Sequence, residues 1–278
     1  MFGIDTSFKI VTQSLFLKII FLLFITANFA ASGNKNLNDE HSQILIAETS
    51  RLPIGTNPGD ACDLEIDSPK SIGGKLIQEN KWVVLWEETM GKYDFVSFAG
   101  KFEKWTSGAC LISKGNIGIF EENILKFIIY TKSEDDTLIG ELEYLENHNI
   151  RIWSGSVVPY PVADLRIKEQ NIKIDPVASS QTFCNKEETM PNIYGMKISN
   201  ARKLLLKNGW TPSIADKLWG FREKEFKKSG IIEVHDCSGT GFARCFFSYN
   251  GNIASLQVIT KGEDNDPRVA ETEVECPA

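Results

Sequence analysis

An apolar run lies near the start of the chain. A polar lead-in with Lys9 and Lys18 precedes it, and a stretch of small residues that includes Ala30 and Ser32 follows it. The run, residues 19–25, is shorter than the roughly 20 apolar residues that a membrane-spanning helix needs. This pattern is typical of a secretion signal, so we predict a signal peptide over residues 1–32 and an exported mature chain, periplasmic or secreted. An uncleaved membrane anchor is the alternative.

Two kinds of pattern follow the signal. Residues 33–60 are rich in polar residues, proline and glycine, which predicts a linker, although Ile44, Leu45 and Ile46 form a short apolar patch suited to a strand or a helical turn. From residue 61 to 178, short segments rich in β-branched and aromatic residues alternate with turn-prone clusters, which predicts an all-β domain, an antiparallel sandwich or small barrel. The predicted strands are residues 82–89, 93–98, 109–113, 117–120, 124–131, 138–145, 150–153, 162–167 and 172–174.

The pattern of apolar and polar residues changes again near Cys184. Helical periodicity predicts helices over residues 198–208 and 215–228, the second one kinked near Gly220 with Leu218, Trp219 and Phe226 inward. Strands follow over residues 231–235, 243–249 and 252–260. Asn250 and Gly251 predict a type I′ hairpin turn, since both residues tolerate positive φ. We therefore predict a small α+β domain over residues 184–278, with two helices, a three-stranded antiparallel meander and an acidic, extended end.

The six cysteines all lie after the predicted signal, where an oxidising compartment favours disulfides. The domain division leaves Cys62 to pair with Cys110. Cys237 and Cys245 flank a hairpin connection, which places them within disulfide reach. Cys184 and Cys276 remain, and this pair would join the two ends of the second domain.

The chain is acidic, with a formal net charge of −7 that becomes −8 when Lys9, Lys18 and Asp5 leave with the signal. Phosphate binding requires a basic surface, so we expect no nucleic-acid partner. The same charge argues against an anionic membrane surface once the signal is removed. Opposite charge speeds encounter, which favours a basic protein partner.

Catalytic and metal-binding motifs are lacking. His41, His148 and His235 are scattered without metal-ligand spacing, and His235 and Asp236 are neighbours on a strand, where successive side chains point to opposite faces. We expect no metal, no cofactor and no enzymatic activity. The alternative is a cell-wall hydrolase that uses Glu87 or Glu88, because paired carboxylates beside aromatic residues are what glycosidases need. Glu141 and Glu143, which share a strand face, fit a solvated face equally well.

Aromatic residues in the β domain suggest a binding surface instead. Trp, Tyr and Arg are enriched among the residues that dominate binding energy at interfaces. Most tryptophans in a small sandwich belong to its core, and spacing alone does not separate the two roles. The candidate binding residues are Trp86, Tyr93, Trp105, Arg151 and Trp153.

One short segment resembles a known family. Pro191, Gly195, Ala201, Leu205 and Gly209 have the spacing of the opening of a PASTA domain, in which a proline and a glycine precede a helix with the pattern A-x-x-x-L-x-x-x-G. The resemblance covers residues 191–209, and beyond Gly209 the chain departs from the family pattern. It implies a bacterial envelope location, and several members of that family bind muropeptides.

These observations favour a non-catalytic envelope protein that binds another protein. A concrete form is an inhibitor or immunity-type protein against a cell-wall-degrading enzyme or toxin. A peptidoglycan- or carbohydrate-binding module is the alternative.

Overall fold

The computed structural model describes residues 37–278 apart from residues 56–57, 59–60, 63–67, 106–107, 134–135, 169–170, 216–219, 240 and 278. The predicted signal peptide and the predicted inward side chains of Leu218 and Trp219 lie outside these described residues. Most of the regular secondary structure in the described chain is β-strand, arranged in antiparallel sheets, as the sequence predicts.

The first half builds a five-stranded sheet in the order β1-β5-β4-β3-β2. Its strands are β1 Ile44–Glu48, β2 Val83–Met90, β3 Tyr93–Lys104, β4 Cys110–Glu121 and β5 Ile124–Thr131. A 3-10 helix, Leu37–Gln43, leads directly into β1. The apolar patch at Ile44 is therefore an edge strand, and Ile44 itself is buried. The two segments predicted around Lys114 form the single strand β4.

A four-stranded sheet packs against the first one. Its strands are β6 Leu142–Tyr144, β7 Ile150–Trp153, β8 Pro161–Lys168 and β9 Asn171–Asp175, in that order. One hydrophobic cluster draws side chains from both sheets, among them Phe95 and Ile119 of the first and Ile152 and Leu165 of the second. The facing sides of the two sheets thus share one hydrophobic core.

One helix interrupts the region predicted to be all-β. Helix α1, Ile72–Glu79, contains Gly73 and Gly74, which disfavour a helix by about 1 kcal/mol each. Tertiary packing explains both glycines: a Cβ on Gly73 would come within 2.6 Å of the Phe120 ring, and one on Gly74 within 2.6 Å of Glu87 Oε2. The prediction of strands alone was wrong here, because the contacts that stabilise α1 come from distant residues.

The second half combines helices α2 Ile198–Lys207 and α3 Phe221–Lys228 with a larger sheet than predicted. Beside the two-stranded pair β10 Ser180–Phe183 and β11 Glu188–Pro191, five strands form one sheet, with the order β12-β14-β15-β16 and with β13 paired to β14. They are β12 Thr211–Pro212, β13 Val234–Cys237, β14 Cys245–Asn250, β15 Ser255–Lys261 and β16 Arg268–Glu275. The predicted three-stranded meander is thus extended by β16, in the segment predicted as an acidic end.

The hairpin between β14 and β15 forms where the sequence predicts it but with a different turn. Residues 251–254 join the strands, and neither Asn250 nor Gly251 is among the residues with positive φ. Gly251 is needed for space: a Cβ there would lie 2.5 Å from Glu188 Oε2 and 2.9 Å from the Trp210 ring. Glu188 Oε2 accepts hydrogen bonds from the backbone N–H groups of Asn252 and Ile253, at 2.7 and 3.1 Å.

Three disulfides join the same pairs that the sequence predicts: Cys62–Cys110, Cys184–Cys276 and Cys237–Cys245. They fit an oxidising, extracytoplasmic compartment.

Among the described residues, no helix is long and apolar enough to cross a membrane. Residues 37–278 form one compact unit, and the division into two domains between 178 and 184 stays a prediction.

Candidate functional site

A cleft of about 520 Å³ lies where β6, β7 and the loop after β7 meet Tyr194 and β16. Four carboxylates and three aromatic side chains line it: Glu141, Glu143, Glu271 and Glu273, with Trp153, Phe183 and Tyr194. The carboxylates come from two segments about 130 residues apart in sequence, so the cleft exists only in the folded chain.

The aromatic wall is held by a series of specific contacts. Trp153 Nε1 donates a hydrogen bond to Glu143 Oε2 over 2.9 Å. The Trp153 and Tyr194 rings meet edge to face, with centroids 5.6 Å apart. The Tyr194 hydroxyl is 2.7 Å from Thr272 Oγ1 and completes a continuous series of contacts from β6 to β16. Burial raises the pKa of Tyr194, so its hydroxyl stays protonated at neutral pH and serves as a hydrogen-bonding group.

Beneath this wall, Arg151 is only 1% exposed and is neutralised by its neighbours. Its Nε and Nη2 donate to the two oxygens of Asp164, at 2.9 and 3.3 Å, and its Nη1 donates to Gln181 Oε1. Burial is the largest single effect and lowers the pKa of Arg151, but the hydrogen bond with Asp164 and the nearby negative charges together outweigh it, so the pKa stands above its usual value. The guanidinium therefore positions β10 against β7 and does not present an open positive charge to the cleft.

The carboxylates of the cleft are only partly compensated. Glu143 accepts from Trp153, and Glu271 Oε1 pairs with Arg244 Nη2 at 3.0 Å. The side chains of Glu141 and Glu273 are exposed and make no hydrogen bond or ion pair with the described part of the chain. The cleft consequently has an excess of negative charge next to aromatic surface.

The five predicted binding residues do not form one surface. Trp86 packs on the sandwich core, and Tyr93 is 4% exposed with its ring against Phe95. Trp105 is exposed but does not line the cleft. Arg151 and Trp153 lie on the same face of β7, and only Trp153 lines the cleft.

The residues considered for catalysis have other partners. Glu87 accepts from the backbone N–H groups of Lys70 and Ser71 and from Ser71 Oγ, the last at 2.7 Å. Ser71 is the N-cap of α1, so Glu87 stabilises the start of that helix. Glu88 is exposed on β2.

The histidines are equally separate from one another. His235 Nε2 lies 3.2 Å from Ser213 O, whereas Asp236 accepts from the backbone N–H of Cys237. His148 contacts the Tyr144 hydroxyl through Nδ1. No group of three or more His, Cys, Asp or Glu residues within the described ranges is placed to hold a metal ion.

Sequence reasoning missed the two carboxylates that β16 contributes to the cleft. A signal was present, because Glu271, Glu273 and Glu275 alternate with Thr272 and Val274, and period two is the pattern of a strand with one acidic face.

Comparison with protein-family models, with curated proteins and with solved structures found no match to this chain.

Proposed function

We propose that the mature chain is a non-catalytic, exported protein that binds a basic protein partner through the acidic cleft. The observation that carries the proposal is the convergence of four carboxylates from β16 and the β6 region on one cleft with aromatic walls. A lysine or arginine side chain of a partner gains attraction from the carboxylates and from the ring faces together, since cations bind favourably over Trp and Tyr rings.

Overall charge and covalent structure support the same function. The net charge, −8 without the predicted signal peptide, steers a basic partner toward the chain. Three disulfides stiffen the scaffold, and a stiff binding surface loses less conformational entropy on association. A secreted cell-wall-degrading enzyme or toxin is the partner class we propose, with this chain as its inhibitor or immunity-type protein, located in the periplasm or secreted.

Two variants of equal charge test this proposal. Glu141→Gln with Glu273→Gln removes the two cleft carboxylates that have no intramolecular partner, and Glu79→Gln with Glu263→Gln removes two exposed carboxylates that do not line the cleft. Each tagged protein is used to capture partners from envelope and secreted extracts at several salt concentrations. We expect wild type and the Glu79/Glu263 variant to retain the same basic protein, and the cleft variant to lose it. Equal retention by both variants, or no retained partner with wild type, would contradict the proposal.

The aromatic walls favour a second candidate, a peptidoglycan-binding module, because the rings of Trp153 and Tyr194 offer flat surfaces beside hydrogen-bonding groups. The resemblance of residues 191–209 to a PASTA opening is consistent with it. Co-sedimentation with purified sacculi distinguishes the two candidates. A protein binder stays in the supernatant, whereas a peptidoglycan binder sediments and loses this property in Trp153→Leu.

A further inference from the structure

Two strands that lie at the ends of their sheets border the cleft. β6 is the first strand of its four-stranded sheet, and β16 is the last strand in the order β12-β14-β15-β16. Residues 141–143 and residues 271–273 line the same cleft. Within the described chain, two sheet edges from different sheets therefore border one acidic opening.

The hydrogen bonding of β14 fixes which backbone groups of β15 point toward β16. Ser248 of β14 uses its N–H and C=O on the side away from β15, with Glu233 O at 3.0 Å and Ser213 N at 2.8 Å. Successive residues of an antiparallel strand bond to opposite neighbours, so Tyr249 bonds to Leu256, its partner across the pair. The next residue of β15, Gln257, is then directed to β16.

The same alternation fixes the open edge of β16. Gln257 stands opposite Glu273, and Ile259 stands opposite Glu271, so these two glutamates bond to β15 through their backbones. The backbone N–H and C=O groups of Thr272 and Val274 point the other way, toward the open edge. They make no additional backbone hydrogen bond with the residues that the structure describes.

This edge already accepts backbone pairing at one end. Val269 N donates to Met196 O, and Gly195 N donates to Val269 O, both over 2.9 Å. An irregularity in the pairing between Ile259 and Thr260 separates this end from Thr272. Backbone addition on the open side of β16 is therefore geometrically compatible with the sheet.

We propose, building on the proposed function, that the partner docks by adding an extended segment as a new strand to the open edge of β16. Its residues opposite Glu271 and Glu273 would be basic, which requires lysine or arginine at every second position. These positions are the non-hydrogen-bonded pairs, where Cα atoms approach to about 4.5 Å and side chains contact closely. Glu141 and Glu143, on the other side of the cleft, attract the same basic segment.

A protective role is the competing explanation for the acidic edge. Charged residues on an edge strand prevent pairing with another chain and so oppose aggregation. That explanation predicts no binding of a basic strand to β16 and more self-association when Glu273 is neutralised. Strand addition predicts lost peptide affinity instead.

Backbone-modified peptides test the strand pairing directly. The probe is a labelled seven-residue peptide with lysine at alternate positions and valine or threonine between, added to the full mature chain and followed by fluorescence anisotropy. In the proposed pairing the intervening residues direct their N–H groups to Thr272 and Val274, and the lysines direct theirs away. We expect N-methylation of the intervening residues to weaken binding about tenfold, as loss of one or two hydrogen bonds would. N-methylation of the lysines should change binding less than about twofold, since no hydrogen bond is lost.

Two further measurements decide the assignment. Glu273→Gln should weaken binding about threefold and Glu263→Gln should not, because only Glu273 lies in the cleft. Amide exchange at Thr272 and Val274 should slow when the peptide is bound. Equal weakening by both N-methylated peptides, or unchanged exchange at these amides, would overturn strand addition. The proposed function would remain intact in that case, because its own test is whether the Glu141/Glu273 variant loses the partner that wild type retains.

Discussion

Trp153 and Glu143 form a hydrogen-bonded pair across neighbouring strands, with the indole Nε1 2.9 Å from the carboxylate Oε2. The pair keeps the indole upright against Tyr194 and keeps the Glu143 charge at the cleft surface. In the proposed complex, this arrangement lets an aromatic ring and a carboxylate contact the same basic side chain.

Substitution of Trp153 should separate these two contributions. Trp153→Phe keeps an aromatic ring but loses the donor to Glu143, so we expect the free energy of unfolding to fall by about 1 kcal/mol while basic-peptide binding persists. Trp153→Leu also removes the ring and should weaken binding further. Denaturant unfolding and peptide anisotropy measure the two effects. Equal affinity of the two variants would place the basic side chain elsewhere.

Glu87 should affect stability without affecting binding. Glu87→Gln removes the charge that accepts from Ser71 at the start of α1, and we expect a loss of about 1–2 kcal/mol in unfolding free energy. Glu88→Gln is the control, since Glu88 is exposed on the same strand. A zymogram on cell-wall substrate with both variants also addresses the hydrolase hypothesis. A capping role for Glu87 would be contradicted if wild type clears the substrate and Glu87→Gln does not, while Glu88→Gln still clears it and all three proteins are folded.

A side chain at position 251 should destabilise the folded chain. A Cβ would press on Glu188, which accepts from Asn252 and Ile253, and on the Trp210 ring, so Gly251→Ala should destabilise the chain by about 1–3 kcal/mol. Gly239→Ala is the matched control, because nothing lies within 4 Å of a Cβ at that position. Thermal unfolding of the two variants measures the difference, and similar melting temperatures would argue against this packing.

The disulfides should differ in their effect on stability. Cys184 and Cys276 are 92 residues apart, and Cys237 and Cys245 only 8. By chain entropy alone, the first bridge contributes about 4.7 kcal/mol and the second about 2.6 kcal/mol. Paired Cys→Ser variants compared by denaturant unfolding should keep this order. A larger loss from the Cys237/Cys245 variant would mean that contacts in the folded state outweigh loop closure.

Lys261 should make stability rise with pH in the alkaline range. Burial lowers the pKa of its amine, against a smaller opposing effect of Glu271. The pKa of Lys261 is lower in the folded state than its unfolded value of about 10.5, so burying the charged amine costs folding free energy at neutral pH. As pH rises toward the unfolded value, the amine loses its proton and this cost disappears. Lys261→Met should therefore be more stable than wild type at pH 7, with the difference shrinking toward pH 10.5. Unfolding free energies across this range measure it; a constant difference would contradict the burial effect.

Strands and hairpins were largely readable from sequence, and one helix was not. Residues 124–131 and 150–153 were predicted with the observed bounds, because segments rich in β-branched and aromatic residues between turn-prone clusters indicate strands. Helix α1 was missed since two glycines conceal its periodicity, and the Phe120 ring and Glu87 that fit those glycines are distant in sequence. Of the cleft, Trp153 alone was among the predicted binding residues, because an exposed and a buried tryptophan have the same local pattern.

The sequence by itself determined the β-rich character, the cysteine pairs and the acidic charge, because each follows from local periodicity, counting or composition. Tertiary structure decided which residues cap the helix ends and where the cleft lies. The N-cap residue of helix α2, Lys197, makes no capping hydrogen bond with its side chain. Asp266 supplies the acceptors instead, since its carboxylate accepts hydrogen bonds from Ser199 N and Oγ, both at 2.9 Å. Glu141 and Glu273 likewise share the lining of one cleft only after β6 and β16 come together. Such contacts join residues far apart in the chain, and local sequence carries no information about that proximity.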